Sequence, residues 1–369
     1  MSTQITPFRI DIPQSALDDL ADRLARTRFT DAAPDDDSGT YGVPVSRVRR
    51  LVDYWRDEYD WRAWEARLNA YPQFTTEIDG QTIHFLHVKS DRPDALPLIV
   101  THGWPGTVVE FLDVIEPLTN PEDGGQAFHL VIPSLPGFAF SSPMTEAGWG
   151  NTRTAKAWAE LMSRLGYERY GAIGNDGGSM VSPEVGRHDP EHVVGVHVTQ
   201  VFSFPSGDPA EFEGMSAEEL QGLEVLKWFW EEKGAFNTLH SQQPQTLAHA
   251  LADSPAGLLA WNAQLLDPDE GDEFTITNVA LHWLTGTAGS AIRYYYANAH
   301  AEQPGEPTTV PLGLAMAKEG DFKSIRRFAD RDHKNIVSWK TIDVVGHYTA
   351  HRAPEVYAAD VRTFFSSLI

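Results

Sequence analysis

Residues 170–179 place an aspartate at the apex of a glycine-rich turn, between a short apolar stretch and the start of a helical pattern. They read Tyr-Gly-Ala-Ile-Gly-Asn-Asp-Gly-Gly-Ser, with Gly174 and Gly178 two positions on either side of Asp176. Small residues at these positions let a strand and a helix approach closely, as in the sharp turns that expose a catalytic nucleophile. A carboxylate nucleophile attacks a saturated carbon and forms an alkyl ester. The alternative is an Asn-Asp-Gly turn at the surface without a catalytic role.

Short apolar stretches alternate with helical patterns on both sides of this turn. The predicted strands are 74–78, 81–88, 98–101, 129–132, 169–173, 193–198, 310–317 and 336–345. The predicted helices include 107–118, 152–165, 216–233, 244–252, 255–266, 275–299, 322–332 and 354–368. Strands that alternate with helices form a parallel sheet covered on both faces. The alternation stops between 204 and 303, so the sequence predicts a doubly wound, mostly parallel sheet with an inserted helical cap.

The chain before the first predicted strand of the sheet has its own pattern. A strand-like arm at 8–13 precedes a helix, for which Ser15 and Asp18 predict a capping box. A polar loop follows at 31–44, and a second helix begins near Val45. The predicted division is an N-terminal segment at 1–75, sheet residues at 76–203 and 304–369, and the cap at 204–303.

Composition excludes several classes of protein. The chain has 369 residues, 41% hydrophobic and 22% charged, as expected of a soluble globular protein. Its net charge of −23 argues against nucleic acid and anionic membranes as partners. The absence of cysteine excludes disulfides and thiolate catalysis, and restricts any metal site to histidine and carboxylate ligands. No signal peptide or membrane span is visible in the sequence, which predicts a cytoplasmic protein.

A histidine and an acid follow Asp176 in the chain order of an α/β-hydrolase triad. His347 lies just past the last predicted strand, where the triad histidine is expected. The acid should follow the preceding strand, and the loop there offers Glu319 and Asp321. A surface histidine and a solvated loop carboxylate are the alternatives, but the shared chain order favours catalysis.

Two backbone N–H groups are expected to stabilise a developing negative charge. One belongs to Gly177, directly after the proposed nucleophile. The other belongs to Trp104, in the turn His-Gly-Trp-Pro-Gly at 102–106 that follows an early strand. A structural turn would not require His102, so this turn also favours a catalytic site.

With these residues assembled, the chain resembles the microsomal-type epoxide hydrolases over nearly its whole length. The matching segments are 7–10, 18–24, 54–56 through 72–75, 102–106, 133–138, the Asp176 turn, 253–258, 293–295, 346–347 and 353–355. So many segments in the same order are improbable by chance.

The resemblance implies an α/β-hydrolase fold and hydrolysis of a small-molecule epoxide to a vicinal diol, without a cofactor. Asp176 would form a hydroxyalkyl ester, and His347, oriented by the loop acid, would activate the water that hydrolyses it. Trp104 and Gly177 would form the oxyanion hole. Tyr295 of the cap would donate to the epoxide oxygen, whereas the adjacent tyrosines at 294 and 296 should point elsewhere because they lie about 100° away on a helix.

Three positions depart from the pattern of that family. Phe236 stands where a second cap tyrosine is usual, which leaves a water or Asn237 to assist Tyr295. Gly177 stands where a tryptophan is usual, which predicts a larger pocket. The acid position falls near residue 320, and the local sequence favours Asp321 over Glu319. The glycine at 177 and the phenylalanine at 236 suggest a bulky or aromatic substrate. The sequence leaves open whether the protein forms a homodimer.

Other functions fit the sequence less well. A dehalogenase would share the Asp176 turn, but the N-terminal segment and Tyr295 favour an epoxide hydrolase. A catalytically silent binding protein would not need the nucleophile and the histidine. The pairs His347 with His351 and His84 with His87 have the spacing of metal ligands, but neither belongs to a His-Glu-x-x-His motif, so no metal is expected.

Overall fold

The computed structural model describes residues 4–302, 305–320 and 322–369, which form one nine-stranded sheet flanked by helices. The strands are β1 (Thr6–Phe8), β2 (Gln73–Ile78), β3 (Gln81–Val88), β4 (Leu96–Thr101), β5 (Phe128–Pro133), β6 (Tyr170–Gly174), β7 (Val193–Val198), β8 (Leu312–Glu319) and β9 (Ile336–Val345). All of the strands predicted from the sequence are present, with ends that differ by a few residues. The strand-like arm predicted at 8–13 is not a strand beyond Phe8.

The order of strands in the sheet is β1-β2-β3-β5-β4-β6-β7-β8-β9. The first three strands are antiparallel to their neighbours, and all pairs from β5 to β9 are parallel. The central strands β4 and β6 are buried on both faces, as parallel strands covered by helices require. The carboxyl ends of β4, β6, β7, β8 and β9 therefore meet at one edge, where the predicted site residues follow them.

The helices are α1 (Gln14–Ala25), α2 (Val45–Asp57), α3 (Trp61–Leu68), α4 (Ile115–Thr119), α5 (Asn151–Arg164), α6 (Gly177–His188), α7 (Ala217–Trp228), α8 (Ala235–Gln242), α9 (Pro244–Asp253), α10 (Pro255–Ala263), α11 (Asp272–Leu284), α12 (Ala288–Ala299), α13 (Arg326–Asp332), α14 (Thr349–Arg352) and α15 (Pro354–Ser366). Two predicted helices were wrong in detail. The stretch 107–118 is mostly a 3-10 helix, Val108–Val114. The stretch 275–299 breaks between α11 and α12, where Gly286 has a φ of +65°.

The predicted capping box at Ser15 is wrong. Helix α1 begins at Gln14, directly after Pro13, and its N-terminus has no side-chain cap. Proline fixes the backbone angle of the residue before the helix, so it can start the helix without a serine. The Asp18 carboxylate instead accepts a hydrogen bond of 3.0 Å from the Gln14 side chain.

Helices α7 to α12 lie between β7 and β8 in the chain and form a helical insertion, as predicted from the lack of strands in this region. The N-terminal helices are tied to this insertion. Helix α2 packs on α10 and α11. Arg47 of α2 donates to the carbonyl oxygens of Ala263 and Leu266, at 3.0 and 2.6 Å, and Arg50 forms an ion pair with Asp272. The division of the chain into domains stays a prediction.

No helix in the described part of the chain is both long enough and apolar enough to cross a membrane.

Candidate active site

Asp176 occupies the sharp turn between β6 and α6. Its backbone has φ 51° and ψ −120°, a conformation that residues other than glycine rarely adopt. Glycines make the turn possible: a Cβ on Gly178 would overlap the carbonyl oxygen of Thr101 in β4, and a Cβ on Gly174 would overlap Gly178. The turn therefore exposes the Asp176 side chain at the carboxyl edge of the sheet, as its glycine pattern predicted.

The Asp176 carboxylate is held by the turn that follows β4. The backbone N–H of Trp104 donates to Asp176 Oδ1 at 2.9 Å. A Cβ on Gly103 would overlap both Asp176 Oδ1 and the backbone nitrogen of Gly177, so these atoms crowd one face of Gly103. The two predicted oxyanion-hole residues thus lie beside the same carboxylate oxygen.

Gly177 lies close to the turn after β4. A Cβ there would lie 3.3 Å from Gly103 Cα and 3.8 Å from Leu135 Cδ1. The glycine lets α6 approach the turn after β4. The larger substrate pocket at this position stays a prediction.

His102 does not contact the Asp176 carboxylate. Its Nε2 accepts a hydrogen bond from the Leu135 N–H at 3.2 Å, which leaves Nδ1 to donate to the Gly103 carbonyl oxygen at 3.0 Å. Burial lowers the His102 pKa to about 4, so the ring stays neutral. The histidine fixes the shape of the turn, and a structural turn therefore does use it, contrary to the sequence-based argument.

His347 lies beside the nucleophile, in the loop after β9. Its Nε2 is 3.6 Å from Asp176 Oδ2, with both side chains partly exposed. The ring also packs edge-on against Tyr348, with 4.8 Å between the ring centroids. The structure thus brings together two residues that are far apart in sequence but were paired by chain order.

Gln200 also belongs to the site, and the sequence analysis missed it. It lies two residues after the end of β7. Its Oε1 accepts a hydrogen bond of 3.1 Å from the Asp176 backbone N–H, and its Nε2 is 3.4 Å from His347 Nδ1. One feature of the sequence could have indicated Gln200. It lies at the carboxyl end of a buried strand, next to the strand that carries Asp176.

Of the two candidate acids, the structure describes Glu319 only. Its backbone carbonyl oxygen accepts a 2.9 Å hydrogen bond from the Gly346 N–H, next to His347, but its side chain is exposed. Among the described residues, no acid other than Asp176 lies within 4.0 Å of the His347 ring nitrogens. Asp321 lies outside the described residues.

The three consecutive tyrosines of α12 point in different directions, as predicted. Tyr294 is buried and donates to Thr154 Oγ1 at 3.0 Å. Tyr296 is 44% exposed and stacks on His300. Tyr295 is partly buried at the site. Burial, and next the negative charge of Asp176, raise its pKa well above the ordinary value, so its hydroxyl keeps its proton.

Aromatic rings surround Tyr295. Phe236 of α8 is buried with its ring centroid 6.0 Å away, and His240 lies closer, at 4.9 Å. His240 Nε2 accepts a 2.9 Å hydrogen bond from the indole N–H of Trp261, and burial lowers the His240 pKa to about 3. Asn237 is partly buried on α8, and no hydrogen bond joins it to Tyr295 in the described part of the chain.

A buried acidic cluster lies next to the nucleophile. We use this name for Glu110, Glu270 and Tyr348, which are 1%, 4% and 1% exposed. Burial, and next the charge of Asp176, raise the pKa of Glu110 well above its ordinary value. Burial also raises the pKa of Glu270 to about 7. Glu110, which senses the charge of Asp176, therefore keeps its proton at neutral pH, and Glu270 keeps its proton below about pH 7.

The histidine pairs with metal-ligand spacing do not meet around a common point. Helix α14 begins at Thr349, so His347 precedes the helix that contains His351. The ring nitrogens of His84 contact a serine and a glutamine, and His87 contacts a tyrosine hydroxyl. Within residues 4–302, 305–320 and 322–369, no three His, Cys, Asp or Glu side chains are grouped as metal ligands.

Comparison with known proteins identifies the family of this chain. The family described as "Epoxide hydrolase N terminus" matches residues 5–111, and the family described as "alpha/beta hydrolase fold" matches residues 97–244. A relative from Stigmatella aurantiaca (strain DW4/3-1) is 39% identical over 99% of this chain and 85% of its own length. "Juvenile hormone epoxide hydrolase 2" of Ctenocephalides felis is 32% identical over 98% of this chain and 85% of its own length. The chain belongs to the epoxide hydrolase family.

Solved structures of epoxide hydrolases have the same fold. The epoxide hydrolase of Aspergillus niger is 31% identical and superimposes with a TM-score of 0.89, covering 99% of this chain and 97% of that one. The juvenile hormone epoxide hydrolase of the silkworm Bombyx mori is 26% identical with a TM-score of 0.91, covering 100% and 95%. The predicted family, α/β-hydrolase fold and enzyme class are confirmed, and the reaction of this epoxide hydrolase is the hydrolysis of an epoxide.

Proposed function

We propose that Asp176 is the nucleophile of this epoxide hydrolase and that His347 is the base of its second step. The observation that supports this assignment is the position of the Asp176 carboxylate. Its Oδ1 accepts from the Trp104 N–H at 2.9 Å, and its Oδ2 is 3.6 Å from His347 Nε2. The Asp176 carboxylate thus lies between a backbone N–H that can stabilise negative charge and a histidine that can activate water.

In the first step, an Asp176 oxygen attacks an epoxide carbon and the ring C–O bond breaks. The oxygen that leaves the carbon takes a proton from the Tyr295 hydroxyl, which burial keeps protonated. The product is a hydroxyalkyl ester of Asp176. Phe236 has no hydroxyl group to assist, so Tyr295 carries this role with Asn237 or a water as the proposed second donor.

In the second step, His347 Nε2 takes a proton from water, and the hydroxide attacks the ester carbonyl carbon. The N–H groups of Trp104 and Gly177 stabilise the negative oxygen that forms. The ester C–O bond then breaks, and the diol oxygen takes the proton from His347. The regenerated Asp176 carboxyl returns its proton to Tyr295, so the enzyme is restored.

The residues around Tyr295 also favour an apolar substrate. Phe236, His240 and Trp104 present rings that stay uncharged at neutral pH. The relatives described above from Ctenocephalides felis and Bombyx mori are named for juvenile hormone. For this chain we propose a bulky or aromatic epoxide that packs against these rings. The cytoplasmic location and a homodimer stay predictions.

The decisive experiment follows one turnover of styrene oxide in heavy-oxygen water with excess enzyme. The first turnover should place the label on the Asp176 carboxylate and leave the diol unlabelled, since the diol receives its oxygen from Asp176. Asp176→Asn should abolish turnover while retaining the folded protein. Label that enters the diol directly would mean that water, and not Asp176, attacks the epoxide.

The second step is tested by trapping the ester. His347→Gln should form the ester but not hydrolyse it, which intact-protein mass spectrometry detects as an increment equal to the substrate mass. Asp321→Asn should slow ester hydrolysis far more than Glu319→Gln, because we propose Asp321 as the acid that orients His347. The opposite ranking would assign the acid to Glu319.

A further inference from the structure

A row of aromatic side chains extends from Tyr295 to the surface of the helical insertion. The ring centroid of Phe236 lies 6.0 Å from that of Tyr295, and the centroid of Phe229 lies 6.5 Å from that of Phe236. Trp230 packs edge-on against Phe229, with 5.5 Å between the centroids. The exposed fraction increases along this row, from 8% at Phe236 to 43% at Trp230. The row therefore leads from the proposed proton donor to solvent.

The row continues to the loop after β7. The ring centroid of Trp230 lies 6.1 Å from that of Phe204, and the centroid of Phe204 lies 6.4 Å from that of Phe202. Phe202 is two residues past Gln200, which accepts from the Asp176 backbone N–H. We use the name aromatic arc for the five rings of Phe202, Phe204, Trp230, Phe229 and Phe236. One end of the arc thus lies beside the proposed proton donor, and the other lies in the segment that contacts the nucleophile turn.

Packing of the protein interior does not account for most of these rings. Within the described part of the chain, Phe202, Phe229 and Phe236 belong to none of the clusters of hydrophobic side chains that form the core. Phe202 and Phe229 are also partly exposed. Pockets for apolar ligands are lined mainly by aromatic and hydrophobic side chains that converge on a few polar groups. The aromatic arc has this composition, with Asp176 and Tyr295 as the polar groups.

The backbone at the outer end of the arc is unusual. The segment Phe229–Lys233 forms a π-helix between α7 and α8, a rare conformation that is frequent at functional sites. Gly234 follows it, and a Cβ there would lie 2.9 Å from Trp230 Cε3 and 2.9 Å from the Trp230 carbonyl oxygen. The absence of a side chain at Gly234 therefore leaves room for the Trp230 ring, which contacts both Phe229 and Phe204.

We propose that the aromatic arc binds the apolar part of the epoxide and that Trp230, at its exposed end, determines which length of substrate is preferred. A substrate whose epoxide ring lies between Asp176 and Tyr295 extends along the arc. Its first aromatic ring then packs against Phe236 and Phe229, and a second ring packs against Trp230. The preferred substrate is therefore an apolar epoxide with two joined aromatic rings. The inference rests on the proposed roles of Asp176 and Tyr295.

Trp228 provides a matched control for Trp230. The two tryptophans are two residues apart and are 42% and 43% exposed, so replacing either one removes a similar exposed surface. Lys233 Nζ lies 6.0 Å from the centroid of the Trp228 ring, and in the described part of the chain no aromatic ring packs against it. A change that occurs in Trp230→Ala but not in Trp228→Ala therefore depends on the arc.

The test compares kcat/KM on three epoxides of increasing length: propylene oxide, styrene oxide and 4-phenylstyrene oxide. Trp230→Ala should lower kcat/KM about tenfold on the two-ring epoxide only, which is the contribution of one aromatic pair, through a higher KM at an unchanged kcat. Phe229→Ala should lower kcat/KM on both aromatic epoxides, because it lies closer to Tyr295. Trp228→Ala should match the wild type on all three, and Trp230→Phe should restore most of the loss.

Three results would overturn the inference. The first is an unchanged kcat/KM on the two-ring epoxide in both Trp230→Ala and Phe229→Ala. The second is an equal loss on all three epoxides, which would indicate a general effect on the fold or on catalysis. The third is a smaller assembly of Trp230→Ala in analytical ultracentrifugation, which would make this end of the arc an interface between copies of the chain. A wild-type enzyme that forms no ester on Asp176 would instead contradict the proposed function, so the two failures are distinguishable.

Discussion

Glu270 is a buried carboxyl group whose protonation should control the stability of the enzyme between pH 5 and pH 8. It is 4% exposed, and burial raises its pKa from 4.5 to about 7, although the charges of Arg352 and His351 offset part of this effect. The folded protein thus holds this proton more tightly than the unfolded chain. The contribution of this proton to the free energy of unfolding is fully present below pH 4.5 and is lost as the pH rises through 7.

The magnitude follows from the difference between the two pKa values. A pKa raised from 4.5 to about 7 corresponds to at most about 3.4 kcal/mol, and about 2.5 kcal/mol of it is lost between pH 5 and pH 8. Glu270→Gln mimics the protonated acid and cannot ionise. We therefore expect the stability difference between the variant and the wild type to grow by about 2.5 kcal/mol from pH 5 to pH 8, in favour of the variant.

Urea unfolding of both proteins at several values of pH between 5 and 8 measures this difference. The exposed Glu122→Gln variant is the control for loss of a carboxylate at the surface. Glu110 is present in all three proteins, but the charge of Glu270 contributes to its raised pKa, so the measured difference includes a smaller contribution from Glu110. Parallel loss of stability in wild type and Glu270→Gln would refute the argument, because it would show that Glu270 is already ionised at pH 5.

Two further predictions concern the hydroxyl donor and the turn. Tyr295→Phe should slow ester formation by roughly 10²–10⁴-fold, which is the usual contribution of a positioned acid. Phe236→Tyr should accelerate ester formation on styrene oxide. Pre-steady-state quenching of tryptophan fluorescence measures both rates. If Tyr295→Phe forms the ester at the wild-type rate, Tyr295 is not the proton donor. Gly178→Ala should destabilise the fold by at least about 3 kcal/mol, since its methyl group would overlap a backbone carbonyl. Gly305→Ala, which has no atom within 4 Å of the added Cβ, should unfold at nearly the wild-type urea concentration.

The nucleophile turn could be predicted because its information is local. A strand, two glycines and an aspartate within ten residues favour a sharp turn between a strand and a helix, and Asp176 occupies such a turn with a φ of 51°. His347 could be placed because chain order in this fold determines which loops meet at the carboxyl edge of the sheet. Both assignments used positions relative to predicted strands.

Gln200 and the buried acidic cluster could not be predicted in this way. The partner of the Gln200 amide is 147 residues away in sequence, and a glutamine after a strand has no distinctive pattern. Glu110 and Glu270 were equally hidden, because acids in polar or mixed segments are usually exposed. Their burial depends on how the turn after β4 and the helical insertion pack around the His347 loop.

The prediction of helix boundaries was wrong for a related reason. The break between α11 and α12 depends on Gly286 with its φ of +65°, whereas the apolar pattern continues through the break. The start of α1 depends on Pro13, and the nearby serine offered a competing signal. Periodicity predicts that a segment is helical better than it predicts where the helix ends.

The hydrogen bonds from Arg47 to the end of α10 have a mechanical consequence for substrate access. The helical insertion joins the sheet through its two chain connections. Side chains also attach it: Arg47 and Arg50 bind it to the N-terminal helices at Ala263, Leu266 and Asp272, and Tyr294 binds it to Thr154 of α5. Any movement of the insertion away from Asp176 has to break such contacts. The N-terminal segment, although distant from Asp176 in sequence, therefore limits how far the insertion can move and how the site opens to a substrate.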